Sequence, residues 1–183
     1  MFKIVILIAL YCYLIFVLGI LGLLYKNIII IVSLLYVVLI LFINYKYWKV
    51  NISLKRIKLS KLPKVFLSII FIQGTVNLIG VLGPELSFDA LWYHLTIPKI
   101  FLENNRIFHI PGNLLYYSDL PKNIDLIYLA FLSFSNEIFP KLIHFSFGLL
   151  SLYALYRLSR KFVNQELSFL TCLLFYSYLV VGW

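Results

Sequence analysis

No acidic side chain occurs before Glu85, and the whole chain of 183 residues has only seven Asp and Glu. Charged residues of both signs amount to 13%, about half the share in an ordinary soluble domain. So few charges cannot cover a soluble surface. Cysteine is nearly absent too. Cys12 and Cys172 both fall inside apolar runs, where they read as small packed hydrophobes with no disulfide framework and no metal-ligand spacing.

The rest of the composition is hydrocarbon: 63% of the residues are hydrophobic and 18% aromatic. A bilayer core of roughly 30 Å needs about 17 to 25 apolar residues per helix. The run Ile4 to Leu24 has no charge over 21 residues, and Ile28 to Asn44 follows after Tyr25-Lys26-Asn27, which reads as a helical hairpin. A cleaved leader would show a shorter apolar region and a small-residue cleavage site, so the first run is expected to remain as an anchor. Further runs are Val65 to Leu82, Ile138 to Tyr156 and Leu167 to Trp183. The last is still apolar where the chain stops, so the sequence is expected to be the N-terminal part of something longer. The expected fold class is all-α, a polytopic transmembrane helix bundle. The expected organisation is an N-terminal hairpin over 1–44, a basic loop over 45–64, and from 65 to 183 the start of a further membrane domain.

Charge asymmetry sets the expected orientation. Lys46, Lys49, Lys55, Arg56, Lys58, Lys61 and Lys64 lie in the 45–64 loop with no acid among them, which places that loop in the cytoplasm. The N-terminus is then cytoplasmic as well, and crossing at 65–82 puts 83–137 outside. Crossing back at 138–156 returns Arg157, Arg160 and Lys161 to the inner face, as expected for a multi-pass protein of a cell (inner) membrane. Six of the seven acids lie in the outer segment. The basic loop sets topology and meets anionic lipid headgroups, and nucleic acid is not an expected partner. Asn51-Ile52-Ser53 matches a glycosylation acceptor but lies on the cytoplasmic side.

The outer segment opens with GPELSFDALWYHLTIPKIFLENNRI over 83–107. At 100° per residue, Leu91, Leu95, Pro98 and Leu102 fall within about 60° of one another, with Asp89, Trp92, Tyr93, Thr96 and Glu103 opposite. That pattern predicts an amphipathic interfacial helix with Trp92 and Tyr93 facing a cavity. Ser87 is placed to cap it, Asp89 then sits in its first turn, and Pro98 kinks or restarts it. IPGN at 110–113 reads as a turn. A second interfacial helix is expected over 120–135, capped by Ser118 or Asp119 with Pro121 in its first turn. Its apolar stretch Ile124 to Ser135 is too short to cross a bilayer.

A first-turn acid is ordinarily a helix-dipole partner, and interfacial Trp and Tyr are ordinary membrane anchors. The segment FDALWYHLTIPKIFLENNRI, the Pro-led helix PKNIDLIYLAFLSFSNEI and the span ending LYALYRLSRKF nevertheless resemble the membrane glycosyltransferases of the GT-C type. The nearest group is the dolichyl-phosphate-mannose-protein mannosyltransferase-like or RgtA/B/C/D-like domains, over roughly residues 65 to 170. The resemblance implies an enzyme that moves a sugar from a polyprenyl-phosphate carrier to a lipid, glycan or protein acceptor at the outer membrane face. It carries the catalytic carboxylate over to Asp89, as a general base. The leaving lipid phosphate needs cations, and Lys99, Arg106 and Lys122 are the basic residues between 83 and 137. Trp92, Tyr93 and His94 complete the candidate substrate contacts, although on spacing alone His94 reads as a packing or hydrogen-bonding residue. Asp89 is followed by Ala90 where many relatives carry a second acid, which weakens the case for a metal. No cofactor is expected, and a divalent ion stays open. His109 and His144 have no metal-ligand spacing. Two spans precede the one that delivers the catalytic loop, where many relatives have a single one.

Two rival classes remain. An envelope-lipid transporter or flippase would ordinarily carry ionisable groups inside its spans, and the spans over 4–24, 28–44 and 65–82 carry none. Gln73, Thr75 and Asn77 give the third some polarity and can serve for packing against a neighbour. A noncatalytic membrane subunit is the other.

Overall fold

A computed structural model describes residues 2–44, 59–112, 114–119, 123–134 and 136–178. Lys122, Pro121, Asn113 and most of the basic loop, from Lys46 to Lys58, lie outside the described residues, as does the end of the last apolar run. The described chain is helical: α1 Phe2–Ile20, α2 Lys26–Asn44, α3 Lys61–Leu82, a π-turn Ala90–His94, α4 Thr96–Glu103, a 3-10 turn Tyr116–Asp119, α5 Asn123–Leu132, α6 Ile138–Ser159 and α7 Gln165–Ser177. Three stretches, Lys26–Ile43, Lys61–Leu82 and Ile138–Ser159, are long and apolar enough to cross a bilayer. At about 1.5 Å per residue, a helix of 22 residues reaches about 33 Å. Their outward faces are apolar: Phe42, Phe71 and Ile79 are largely exposed.

The chain forms two compact units, one from residues 1–51 and 85–140, the other from 52–84 and 141–183. In the first, α1 and α2 form the expected hairpin, but its turn lies earlier than Tyr25-Lys26-Asn27. Gly22 adopts φ +72°. Leu23 N–H bonds the Leu18 carbonyl at 2.9 Å and Gly22 N–H bonds that of Gly19 at 3.3 Å, a Schellman ending that glycine, lacking a Cβ, closes without strain. Lys26 and Asn27 are thereby released to begin α2. Between the two helices, the Tyr36 hydroxyl donates to the Leu7 carbonyl at 2.6 Å, and Tyr11 and Ser33 share a hydroxyl bond of 2.7 Å.

The core of this unit is α5. Asp125, Leu126, Ile127, Tyr128, Leu129 and Ala130 are buried in succession, which requires cover on every side. α1, α4 and α2 supply it. The Cys12 thiol, halfway along α1, donates to the Asn123 carbonyl at 3.2 Å, so α5 begins level with the middle of α1. The helix expected to lie at or dip into the outer interface is thus sheathed in protein along Asp125–Ala130. Its expected caps serve elsewhere: Ser118 Oγ accepts from Ile110 N–H at 3.3 Å, and Asp119 meets His109 at 2.9 Å.

The second unit joins α3, α6 and α7 through Leu152, Cys172 and Tyr176, with Ile70, Leu155 and Tyr156 against them. Gln73 Nε2 donates to the Tyr176 carbonyl at 2.8 Å, and Asn77 Nδ2 to its hydroxyl at 3.1 Å. The polarity of α3 thus ties it to α7. Asn164 caps α7, its Oδ1 accepting from Leu167 N–H at 2.9 Å.

Candidate functional site

The part of the quoted segment that belongs to the first unit begins at Glu85. Its Oε1 accepts from the N–H groups of Leu86 at 3.0 Å and Ser87 at 2.8 Å, just ahead of the turn that starts where Leu91 N–H bonds the Ser87 carbonyl at 3.0 Å. One helical turn follows, and then the register slips. Leu95 N–H bonds the Ala90 carbonyl at 2.9 Å, an i to i−5 bond that inserts one residue. The slip corrects the uniform 100° layout. Leu95 stays buried, but Leu91 turns outward at 48% exposure, and the buried face of α4 is Ile97, Pro98 and Phe101. Pro98 lies in the first turn of α4, consistent with a restart. Gly112, at φ +102°, supplies the expected turn.

Asp89 is exposed at the head of the π-turn and makes no capping bond to a backbone amide. Its charge bears on two phenols. Tyr93 has its pKa raised by burial first, then by the carboxylates of Asp89 and Asp125 and by Tyr116. Tyr117 is raised by its hydrogen bond with Tyr116 first, then by burial, by the Tyr116 and Tyr93 phenols, and by Asp89. These rings form a platform. Tyr93 and Tyr117 stack at 4.5 Å and 17°, and Tyr116 stacks on Tyr117 at 4.1 Å. Trp92 meets Tyr117 edge-on at 5.3 Å and Phe88 at 5.1 Å, while its indole N–H donates to the Leu114 carbonyl at 3.1 Å. Beside the platform an open groove of about 500 Å³ is lined by Leu86, Phe88, Leu91, Trp92 and Leu114.

His94 pairs with Asp125. Its Nδ1 lies 2.7 Å from Asp125 Oδ1, with 36% of the imidazole exposed against 5% of the carboxylate. The pair joins the first turn of α5 to the π-turn. Asp125 is the residue that spacing arguments missed. The available signal was its place as the one acid in the apolar run of α5, where a buried carboxylate requires a partner.

The two candidate cations among the described residues, Lys99 and Arg106, are engaged elsewhere. Lys99 pairs with Glu137, and the Arg106 guanidinium lies 5.4 Å over the Phe108 ring. Among the described residues, no three His, Cys, Asp or Glu side chains gather as a metal-binding set. The arrangement offers an exposed carboxylate, flat aromatic faces for an apolar or sugar-ring surface, a groove for a hydrocarbon chain, and an oriented imidazole. No family model, curated protein or solved structure matches the chain.

Proposed function

We propose that the chain acts as a membrane glycosyltransferase that moves a sugar from a polyprenyl-phosphate carrier to an acceptor hydroxyl or amine. In this reading the segment 83–137 lies at the outer face of the membrane and the basic loop 45–64 in the cytoplasm. The observation that carries it is Asp89. Its carboxylate is left uncommitted, with no capping bond to the amides of its helix end. It stands exposed beside Tyr93 and Tyr117, where a substrate can meet it.

In the reaction Asp89 takes the proton from the acceptor as its oxygen or nitrogen attacks the anomeric carbon, and the bond from that carbon to the phosphate oxygen breaks. The electron pair leaves with the lipid phosphate. The Tyr93–Tyr117 platform receives the sugar ring, and the groove lined by Leu86, Phe88, Leu91, Trp92 and Leu114 receives the isoprenoid. The reading of a transporter draws less support, since on α3 the Gln73 and Asn77 side chains are bound to Tyr176 and the Thr75 hydroxyl donates to the Phe71 carbonyl of its own helix at 2.9 Å.

Asp89→Asn keeps the shape and removes the proton acceptor. Transfer from the lipid-linked sugar should fall at least about a hundredfold with expression unchanged. Glu85→Gln keeps an oxygen for the Leu86 and Ser87 amides and should cost much less, as should Asp119→Asn. Near-normal turnover by Asp89→Asn would remove the proposal.

A further inference from the structure

We propose that His94, seated on Asp125, is the anion-binding residue of this loop, and that its Nε2–H meets the phosphate of a ligand carried on an apolar chain. The assignment of that phosphate to a lipid-linked donor rests on the transferase reading; the anion site itself stands on geometry. A carboxylate oxygen only accepts, so the 2.7 Å contact makes Nδ1 the N–H that faces Asp125. Nε2 is then the nitrogen left for a ligand. With carboxylate on one side and phosphate on the other, an imidazolium has an acceptor for each of its two N–H groups.

Position supports the same assignment. The His94 ring lies 4.1 Å from that of Tyr93, whose phenol responds to both Asp89 and Asp125, so the dyad belongs to the neighbourhood of the exposed carboxylate. Among the described residues between Glu85 and Asn136, the permanent cations are Lys99 and Arg106. One is paired with Glu137 and the other is laid over Phe108. Two imidazoles of the described loop are each seated on a carboxylate, His109 on Asp119 and His94 on Asp125, and His94 is the one whose ring lies 4.1 Å from Tyr93 of the platform. Asp125 acts through it as a positioning residue: nearly fully buried on α5, it fixes the ring's rotation and tautomer from behind.

The test uses the full chain in neutral detergent with its histidines labelled with nitrogen-15, His94 being assigned by its loss in His94→Gln. The probes are decyl phosphate, inorganic phosphate and, as the uncharged control, decanol. Decyl phosphate should shift the Nε2 resonance of His94 to saturation, and decanol should not. His94→Gln should weaken decyl phosphate binding at least about tenfold. Asp125→Asn keeps the shape, and it should move the His94 Nδ1 resonance before any ligand is added and weaken binding as well. Inorganic phosphate should shift the same resonance only at least about tenfold less tightly; equal affinity would overturn the lipid-linked source. An unmoved Nε2 resonance, an equal shift with decanol, or full binding by His94→Gln would overturn the anion site. The shift itself is read in the unaltered chain, where His94→Gln serves only to assign the resonance. If Asp89→Asn kept its turnover while decyl phosphate still bound through His94, the transferase reading would fall and the anion site would stand.

Discussion

Gly19 should resist even the smallest substitution, and Ile107 is the reason. The loop after α4 is held against the end of α1 by two backbone bonds, Ile107 N–H to the Gly19 carbonyl and Leu24 N–H to the Asn105 carbonyl, both 3.0 Å. Asn105 takes φ 55° to make that crossing. At this approach a Cβ on Gly19 would lie 2.3 Å from Ile107 Cδ1, 2.5 Å from Cγ1 and 3.3 Å from Cβ. The first two distances are impossible, so Gly19→Ala must move a β-branched side chain or part the two segments. Overpacking of this kind costs about 1 to 3 kcal/mol, against about 1 kcal/mol that Ala gains over Gly in a helix. The net expectation is a loss of about 0 to 2 kcal/mol. In an Ile107→Ala background the two clashing atoms are gone, and the same substitution should become neutral or stabilising by up to about 1 kcal/mol. Unfolding of the four chains by titration with denaturing detergent, followed by helical circular dichroism, reads the cycle. Equal effects of Gly19→Ala in both backgrounds would refute the close approach.

Leu95 is 3% exposed and Thr96 lies beyond the slip, so Leu95→Asp should damage folding by several kcal/mol more than Thr96→Asp; equal loss of monodisperse protein in detergent would contradict the buried face. A cysteine at Leu114 should react with an impermeant thiol reagent added outside intact cells and one at Ser53 should not, and reversed labelling would invert the proposed orientation. Burial and the nearby carboxylates hold the Tyr93 phenol protonated beyond its ordinary range. Its raised folded pKa therefore contributes stability that is full below the unfolded value of about 10 and is lost as pH rises through the folded value. An alkaline titration of the phenolate absorption, compared with Tyr93→Phe, should show the missing phenol titrating late; a normal midpoint would contradict it.

Composition and run length alone required helices with apolar exteriors, because side chains that hydrocarbon can solvate are nearly all that this chain contains. The hairpin, α3 and α6 follow from that count, and so does the role of Gln73 and Asn77, since polar groups on an apolar helix must find a partner. Asp89, Trp92, Tyr93 and His94 were legible as one segment from their contrast with the surrounding hydrocarbon. Contact with sequence neighbours could not reveal how they are used. The π-turn depends on a single extra residue in a bond pattern that periodicity averages over, and it turned Leu91 outward. The Asp125 partner of His94 is 31 residues away. Tyr117 meets Tyr93 only because the chain doubles back through Gly112, and α5 became a core helix because α1, α2 and α4 all close on it. Local pattern reports which face of an element is apolar; which other element covers that face is decided by long-range packing, and so is whether a buried carboxylate finds its imidazole.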